Sequence, residues 1–290
     1  MINLKNKDLY KNVKKEALKD FGVIPTENFD VKSAIRDRIN FLKSYIKNHG
    51  LKAIILGISG GVDSTTAGKL AKIAMQELTN EGYESKFVAV RLPAHVQKDE
   101  EDAQAALNFI LPHATHTINI GKATDILSQE GLQSFKDNGQ QFTPFEKDFN
   151  KGNMKARMRM VAQYYLAPFY KGIVLGTDHN AEGILSFYTK FGDGACDILV
   201  LNGLNKRQVR LIAKELGAPE KLWNKAPTAD LEELNEQLLD EDSTGIPYDV
   251  LDDFLEGKNI DPEMEYKILE FHLTTAHKRA EPVPFFVHKV

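Results

Sequence analysis

The residues best suited to chemistry lie in one short glycine-rich segment. Between an apolar run and a helical pattern the chain reads Gly57-Ile58-Ser59-Gly60-Gly61-Val62-Asp63-Ser64. Adjacent glycines let the backbone turn tightly and approach a ligand closely, and the start of the following helix directs free N–H groups at an anion. We therefore predict a phosphate-binding loop. The Asp63 carboxylate would repel phosphate unless a cation lay between them, which implies Mg²⁺.

Two common phosphate-binding motifs do not fit this segment. A Walker A motif needs four residues between its first glycine and Gly-Lys, followed by Ser or Thr. Here six residues separate Gly61 from Gly68, and Leu70 follows Lys69. A G-x-G-x-x-G fingerprint is also absent. The segment SGGVDS instead resembles the PP-loop of the N-type ATP pyrophosphatases, which cleave ATP between its α and β phosphates.

A second segment, from Gly176 to Asp197, narrows the family among the PP-loop enzymes. It reads GTDHNAEGILSFYTKFGDGACD and resembles the signature of the NAD⁺ synthetases. The resemblance implies an enzyme that amidates nicotinic acid adenine dinucleotide (deamido-NAD⁺) with ATP, Mg²⁺ and free ammonia, through an acyl-adenylate. It continues in order over nearly the whole chain, through Arg91–Pro93, Val96–Glu100, Asn153–Arg157, Pro227–Leu231, Gly245–Tyr248 and His277–Arg279.

The resemblance also implies roles for single residues. Glu182 is implied as the second metal ligand beside Asp63. Asp193, within Gly-Asp-Gly, is implied as the catalytic carboxylate that holds ammonium and helps to remove its proton, and Asp63 is also counted as catalytic. Besides the loop, the implied ATP contacts are Arg91, Gln97, Thr177, Lys206 and Thr228. The implied deamido-NAD⁺ contacts are Arg157, Lys190, Asp197, His277 and Lys278.

The chain departs from the family pattern at three places. Ala94-His95 stands where the family commonly has Tyr-Gly, and Ala195 stands where a third glycine usually follows Gly-Asp-Gly. Residues 181–186 read Ala-Glu-Gly-Ile-Leu-Ser, in place of Ala-Glu-Ala-x-Thr-Gly. We expect these changes to affect the lip of the ATP pocket and the loop around Asp193, and not the reaction.

Apolar runs of strand length alternate with segments of helical period, which predicts a parallel sheet covered by helices on both faces. The fold class is thus a doubly wound α/β fold of the adenine nucleotide alpha-hydrolase-like kind, with ligands at the carboxyl ends of the strands. The predicted strands are Ala53–Ile58, Phe87–Leu92, His116–Ile120 and Gly172–Leu175. The predicted helices are Ser64–Leu78, Asp99–Leu111, Asn153–Phe169, Asn205–Leu216 and Asp261–His277.

One domain over residues 1–290 is the simplest organisation, with residues 1–50 as a helical segment packed on it. Residues 228–247 are acidic and offer little apolar surface, so we predict a mobile lid based at Thr228. The resemblance implies a homodimer with the dinucleotide at the subunit boundary. A stripe of Met154, Met158, Val161 and Tyr165 is compatible with such an interface, although similar stripes are more often core.

The composition of the chain argues against several classes of protein. The chain has 290 residues and 42% hydrophobic residues, with no apolar run near the ~20 residues that span a bilayer and no secretory signal pattern. Its single cysteine, Cys196, excludes an intrachain disulfide framework and a zinc cluster, so we expect a cytoplasmic protein. The net charge of −4, without a basic stripe, argues against nucleic acid as a partner.

Two alternatives stay open at this point. Another PP-loop enzyme that amidates or thiolates its substrate, such as a tRNA, would show a basic patch or a pair of relay cysteines. A nucleotide-binding regulator without catalysis would lack Asp63 or Glu182, yet both are present.

Overall fold

The computed structural model describes residues 7–96, 99–229, 231–234 and 238–283. The strands are β1 (Ala53–Gly57), β2 (Lys86–Arg91), β3 (Ala114–Thr117), β4 (Gly172–Gly176), β5 (Ile198–Leu199), β6 (Thr228–Ala229) and β7 (Leu238–Leu239). The helices are α1 (Lys7–Phe21), α2 (Val31–Asn48), α3 (Val62–Asn80), α4 (Glu100–Ile110), α5 (Gly121–Asp137), α6 (Pro144–Leu166), α7 (Asn180–Leu185), α8 (Lys206–Glu215), α9 (Glu220–Trp223), α10 (Asp240–Thr244), α11 (Tyr248–Leu255), α12 (Pro262–Thr274) and α13 (Ala276–Arg279).

A parallel five-stranded sheet forms the centre, in the order β3-β2-β1-β4-β5. Ile54 of β1 pairs with Phe87 of β2 on one side and with Ile173 of β4 on the other. The doubly wound α/β prediction is therefore confirmed. β3 begins two residues earlier than predicted and ends at Thr117, although Ile118 N and Ile120 N still donate to Arg91 O and Pro93 O. The two-residue β5 was not predicted, since so short a strand has no periodicity to detect.

Helices bury both faces of this sheet, which explains why β1 reads as a continuous apolar run. Its residues alternate between the two faces: Ile54 and Leu56 join the core under α2, α3 and α8. Ala53 and Ile55 join the core under α6. Gly68 of α3 lets that helix lie close to its neighbours, since a Cβ there would come within 2.9 Å of Ile110 Cδ1.

Capping residues fix where the helices begin. The prediction for α6 was wrong at its start, because the helix begins at Pro144 and not at Asn153. Thr143 and Glu146 form a capping box there, and proline suits the first helical turn. The prediction for α8 was confirmed, with Asn205 Oδ1 accepting from Gln208 N at 2.9 Å. Helix α5 was not predicted.

The N-terminal helix α1 packs on a second apolar cluster made with α7, α11 and α12. Glu265 of α12 anchors it, accepting from Tyr10 Oη at 2.6 Å and from Lys14 Nζ at 2.7 Å. Residues of the predicted lid form the β6–β7 hairpin and α10. In the parts of the chain that the structure describes, no helix combines the length and the apolar character needed to span a membrane.

Candidate active site

The glycine-rich loop lies where β1 ends and α3 begins, as predicted. Gly60 adopts a left-handed φ of 92° and packs against the start of α4. A Cβ at Gly60 would lie 2.7 Å from Ala103 N, so this position requires glycine. The hydroxyls of Ser59 and Ser64 lie 3.1 Å apart at the mouth of the loop. The loop thus holds two hydroxyl groups beside the N-terminus of a long helix.

The N-terminus of α3 is suited to an anion. Its N-cap is Gly61, and no side chain of the described residues caps its first turn. The first N–H groups of a 19-residue helix therefore face the pocket together with the positive end of its dipole. A phosphate group would satisfy these donors.

A cavity of about 300 Å³ opens at the carboxyl ends of β1, β2 and β4. Its walls contain most of the predicted catalytic, metal and ATP residues: Gly57, Ile58, Ser59, Gly61, Val62, Asp63, Ser64, Arg91, Thr177, Glu182, Asp193 and Thr228. Arg159, Gln163, Asp178, Lys225 and Asp240 also line it and were not singled out from the sequence. Gln97 lies outside the described residues, and Gly60 and Lys206 are not among the residues that line the cavity.

A largely buried cluster of charged groups forms the floor of this cavity. Asp63, His179 and Glu182 each offer a ligand atom, and these atoms lie within 4.8 Å of one another. His179 Nε2 is 3.5 Å from Asp63 Oδ1 and 3.5 Å from Glu182 Oε1. Lys206 Nζ lies 2.8 Å from Asp63 Oδ2. The predicted pair of metal ligands is therefore brought together, with a histidine and a lysine beside it.

Protonation in the cluster reflects burial and neighbouring charge. Burial, together with the nearby carboxylates of Asp63, Asp178 and Asp240, raises the pKa of Glu182 well above its usual range. For Asp63, burial acts in the same direction, but Lys206 and His179, together with the hydrogen bonds to its carboxylate, lower the pKa overall. Asp63 Oδ1 is buried and accepts no hydrogen bond from the described residues. Oxygen ligands in this state suit a divalent cation, which would relieve their mutual repulsion.

Asp178 and Asp193 form a second acidic group in the cavity. Burial and the charges of Asp193 and Asp63 raise the pKa of Asp178 to about 8. Asp193 Oδ1 accepts from Thr189 N at 3.0 Å, which orients the carboxylate. Burial raises the pKa of the nearby Cys196 thiol to about 12. A thiol that stays protonated is a poor nucleophile.

The predicted dinucleotide residues lie outside the cavity, on an adjoining surface. Arg157 Nε donates to Lys190 O at 3.3 Å, and Lys190 Nζ also donates to the backbone oxygens of His277 and Ala280. Lys278 Nζ donates to Tyr188 O at 2.9 Å. These contacts link Arg157, Lys190 and the backbone of His277, and Lys278 binds the backbone of the nearby Tyr188. Asp197 accepts from Val174 N at 2.7 Å and makes none of these contacts.

The segment predicted as a lid lies across the cavity, because Thr228, Leu231 and Asp240 line it. Asp148 of α6 accepts from Leu234 N at 2.7 Å and from Glu233 N at 2.9 Å. Lys155 Nζ donates to Leu231 O at 3.0 Å. The lid is therefore docked on α6 mainly through polar contacts.

The three departures from the family pattern have structural counterparts. His95 and Ser186 both adopt left-handed φ angles, of 61° and 49°, at positions where the family pattern has glycine. His95 is held there by Asp125, whose Oδ2 lies 2.8 Å from its Nε2. Gly183 makes room for Phe21 of α1, since a Cβ there would lie 2.8 Å from the ring. Ala195 lines the cavity beside Asp193.

Sequence reasoning missed His179, Asp178 and Asp240 as members of the site. His179 and Asp178 stand inside the segment Gly-Thr-Asp-His at the end of β4, so their position at a strand end was an available signal. Asp240 lies far along the chain in an acidic stretch, and no local pattern distinguishes it from its neighbours.

Comparison with known proteins agrees with this geometry. The family model for NAD synthase matches residues 34–282. An "NH(3)-dependent NAD(+) synthetase" of Aliivibrio salmonicida is 54% identical, over 89% of this chain and 94% of that protein. The crystal structure of an NAD⁺ synthetase from Burkholderia pseudomallei is similar with a TM-score of 0.77 and 43% identity, covering 93% of this chain and 96% of the other. The structure of an NMN synthetase from Francisella tularensis has a TM-score of 0.76 and 33% identity, covering 89% and 100%.

Proposed function

The chain belongs to the NAD synthase family, and from this premise we propose that it amidates deamido-NAD⁺ with free ammonia at the expense of ATP. The enzyme is an ammonia-dependent NAD⁺ synthetase, a ligase that forms a C–N bond. In the proposed reaction the nicotinate carboxylate attacks the α-phosphorus of ATP, giving an acyl-adenylate and pyrophosphate. Ammonia then attacks the acyl carbon, and AMP leaves with formation of the amide.

We propose Asp63 and Glu182 as the residues that hold Mg²⁺. Asp63 reaches the cavity from α3, which follows β1, and Glu182 reaches it from α7, which follows the adjacent parallel strand β4. Asp63 Oδ1 is buried without a hydrogen-bond partner among the described residues. When bound, the ion would offset the negative charge that builds on the leaving pyrophosphate. The hydroxyls of Ser59 and Ser64 and the first N–H groups of α3 would bind the same phosphates and orient them.

The second half of the reaction needs a group that collects ammonium and takes up its proton. Asp193 lies in the same cavity as the phosphate loop, and Thr189 N holds its carboxylate in place. We propose that Asp193 binds ammonium and assists its deprotonation before attack. The neighbouring Asp178, whose raised pKa leaves it mainly protonated at neutral pH, would keep the charge at this point low.

One observation carries the proposal: the uncapped N-terminus of α3 and the Asp63–Glu182 pair open into a single cavity. The test supplies the purified chain with ATP, Mg²⁺, ammonium and deamido-NAD⁺. We expect NAD⁺, AMP and pyrophosphate in equal amounts, and the Glu182→Gln variant should remain folded and lose this activity. Release of pyrophosphate without formation of NAD⁺ would refute the use of free ammonia in the second step, and absence of pyrophosphate would refute the adenylation chemistry.

The likeness to an NMN synthetase supports a second candidate substrate, the corresponding mononucleotide. The relative named as an NAD⁺ synthetase is 54% identical, against 33% for the NMN synthetase structure, so we favour the dinucleotide. Competition between nicotinic acid mononucleotide and deamido-NAD⁺ in one mixture discriminates them. A larger kcat/KM for the mononucleotide would reverse the assignment.

We also propose a homodimer. Val161, Tyr165 and Phe169 follow one another at intervals of four residues, and their exposed fractions are 49%, 66% and 73%. Two members of the predicted α6 stripe are therefore exposed to solvent, contrary to a place in the core, and exposed apolar side chains of this size favour an interface. A cytoplasmic location remains our proposal from the single cysteine.

A further inference from the structure

Lys206 occupies an unusual position for a residue expected to contact ATP phosphates. Its side chain is 1% exposed. Its ammonium lies 2.8 Å from Asp63 Oδ2, 3.5 Å from Glu182 Oε1 and 3.3 Å from His179 Nε2. These are the three side chains whose ligand atoms gather within 4.8 Å of one another. The ammonium therefore lies among the atoms that would coordinate a divalent cation.

We propose that Lys206 is a tethered cation, which occupies the metal position between Asp63 and Glu182 until a divalent ion displaces it. The inference rests on the proposed magnesium site and adds a second state to it. In the first state the lysine ammonium balances the carboxylates. In the second state the metal takes its place, with His179 available as a third ligand.

The two cations cannot share the site. Like charges a few Å apart in a poorly solvated environment repel one another strongly, so the arrival of a divalent ion must move the ammonium. The four-carbon stem of lysine is flexible enough for this movement. Its backbone stays in place, because Lys206 N donates to Asp252 Oδ1 at 3.1 Å at the start of α8. Only the side chain has to leave.

The displaced ammonium needs a new anionic partner. The phosphate loop borders the same cavity, so a bound triphosphate would supply one. Metal binding is then weak without nucleotide and stronger with it, and by linkage the nucleotide binds more tightly when the metal is present. Lys206 would act as a positioning residue in this exchange, because it affects metal occupancy through Asp63 and Glu182.

A simpler reading makes Lys206 a permanent ion-pair partner that neutralises two buried carboxylates. Both readings predict that removal of the ammonium destabilises the fold, since unpaired buried carboxylates repel one another. They differ in the wild-type protein. Only the tethered-cation reading predicts that a divalent ion enters the position between Asp63 and Glu182 while Lys206 is present.

The experiment measures Mn²⁺ binding in the absence of nucleotide, from the free-ion signal in electron paramagnetic resonance. Three proteins are compared: wild type, Lys206→Met and Lys225→Met. Lys225 also lines the cavity, and its Nζ lies 2.7 Å from Asp102 Oδ2. The control therefore removes one positive charge near the site and leaves the Asp63–Glu182 position filled. Thermal unfolding of each protein is recorded with and without Mn²⁺.

We expect Lys206→Met to bind Mn²⁺ at least about tenfold more tightly than wild type, since no buried ion pair has to be broken first. Lys225→Met should resemble wild type. Lys206→Met should melt at a lower temperature than wild type without Mn²⁺ and recover with it. Equal Mn²⁺ affinity in wild type and Lys206→Met would overturn the tethered cation and leave the metal site standing. If none of the three proteins binds Mn²⁺, the proposed metal site itself is refuted. If Lys206→Met fails to fold even with Mn²⁺, the exchange of the ammonium for the metal is refuted.

Discussion

The contact between Asp148 and the predicted lid can be tested by substitution. The Asp148 side chain is nearly buried on α6, and its carboxylate accepts from Glu233 N at 2.9 and 3.0 Å and from Leu234 N at 2.7 Å. The lid itself contributes little apolar anchoring, since Leu234 is 60% exposed. Replacing Asp148 with alanine should release residues 231–234 and leave the sheet unaffected.

The expected loss of docking free energy follows from the two backbone N–H donors, those of Glu233 and Leu234. A hydrogen bond to a charged group contributes a net of roughly 1.5–3 kcal/mol after exchange with water, so the loss of two such bonds should weaken docking by at least about 3 kcal/mol. Since 1.4 kcal/mol corresponds to a factor of ten, the ratio of docked to undocked lid should fall by at least about 100-fold. Lys155, which donates to Leu231 O at 3.0 Å and pairs with Glu233 Oε1 at 3.1 Å, should limit how far the released residues move.

Amide hydrogen exchange and limited proteolysis measure this change directly. In Asp148→Ala, exchange at residues 231–234 should accelerate, cleavage should rise there, and ATP together with deamido-NAD⁺ should slow it again. Asn150→Ala is a matched control, because Asn150 lies on the same helix and its amide donates within that helix, to Glu146 O at 2.8 Å. Unchanged exchange in the lid, or a loss of stability spread over the whole domain, would refute the assignment of Asp148 as a lid anchor.

Four further outcomes can be checked. Gly183→Ala should lower the free energy of unfolding by roughly 1–3 kcal/mol through overpacking, because its Cβ would lie 2.8 Å from the Phe21 ring; denaturant titration should show part of the loss recovered by adding Phe21→Leu. The pKa of Asp178 is raised from 3.8 to about 8, so the folded protein holds a proton that the unfolded chain releases, and this site loses stability as pH rises from about 4 to 8. Asp178→Asn removes that loss, so its advantage over wild type in denaturant titrations should grow across this window and level off above it; a constant difference would contradict the shift. With glutamine alone in ammonia-free buffer no NAD⁺ should form, and sustained release of glutamate would contradict the use of free ammonia. With ammonium, activity should rise above neutral pH, because the ammonium ion held by Asp193 then loses its proton. Tyr165→Glu should place charge in the proposed interface and shift sedimentation towards the monomer, and an unchanged sedimentation coefficient would count against that interface.

Short sequence patterns were sufficient to predict those elements of this protein whose structure depends on residues close together in the chain. The apolar runs of β1 and β2 predicted buried parallel strands, since both faces of a central strand meet other layers. The glycines and serines of residues 57–64 predicted the phosphate loop, because its turn and the following helix are contiguous. The Asn205–Gln208 capping box marked the start of α8. Each of these signals acts over a few residues, so a linear reading can detect it.

The charge arrangement at the floor of the cavity depends on packing between distant segments. Lys206 is 143 residues from Asp63 along the chain, yet its ammonium lies between the two predicted metal ligands. No periodicity marks a lysine as buried, and its sequence neighbours predict an exposed residue at a helix start. The side chain is buried only because α3, α7 and α8 converge at the strand ends and because two carboxylates there require a cation. Residue types and motifs thus define the chemistry, whereas the crossing of three helices decides which charges meet and which cation fills the space between them.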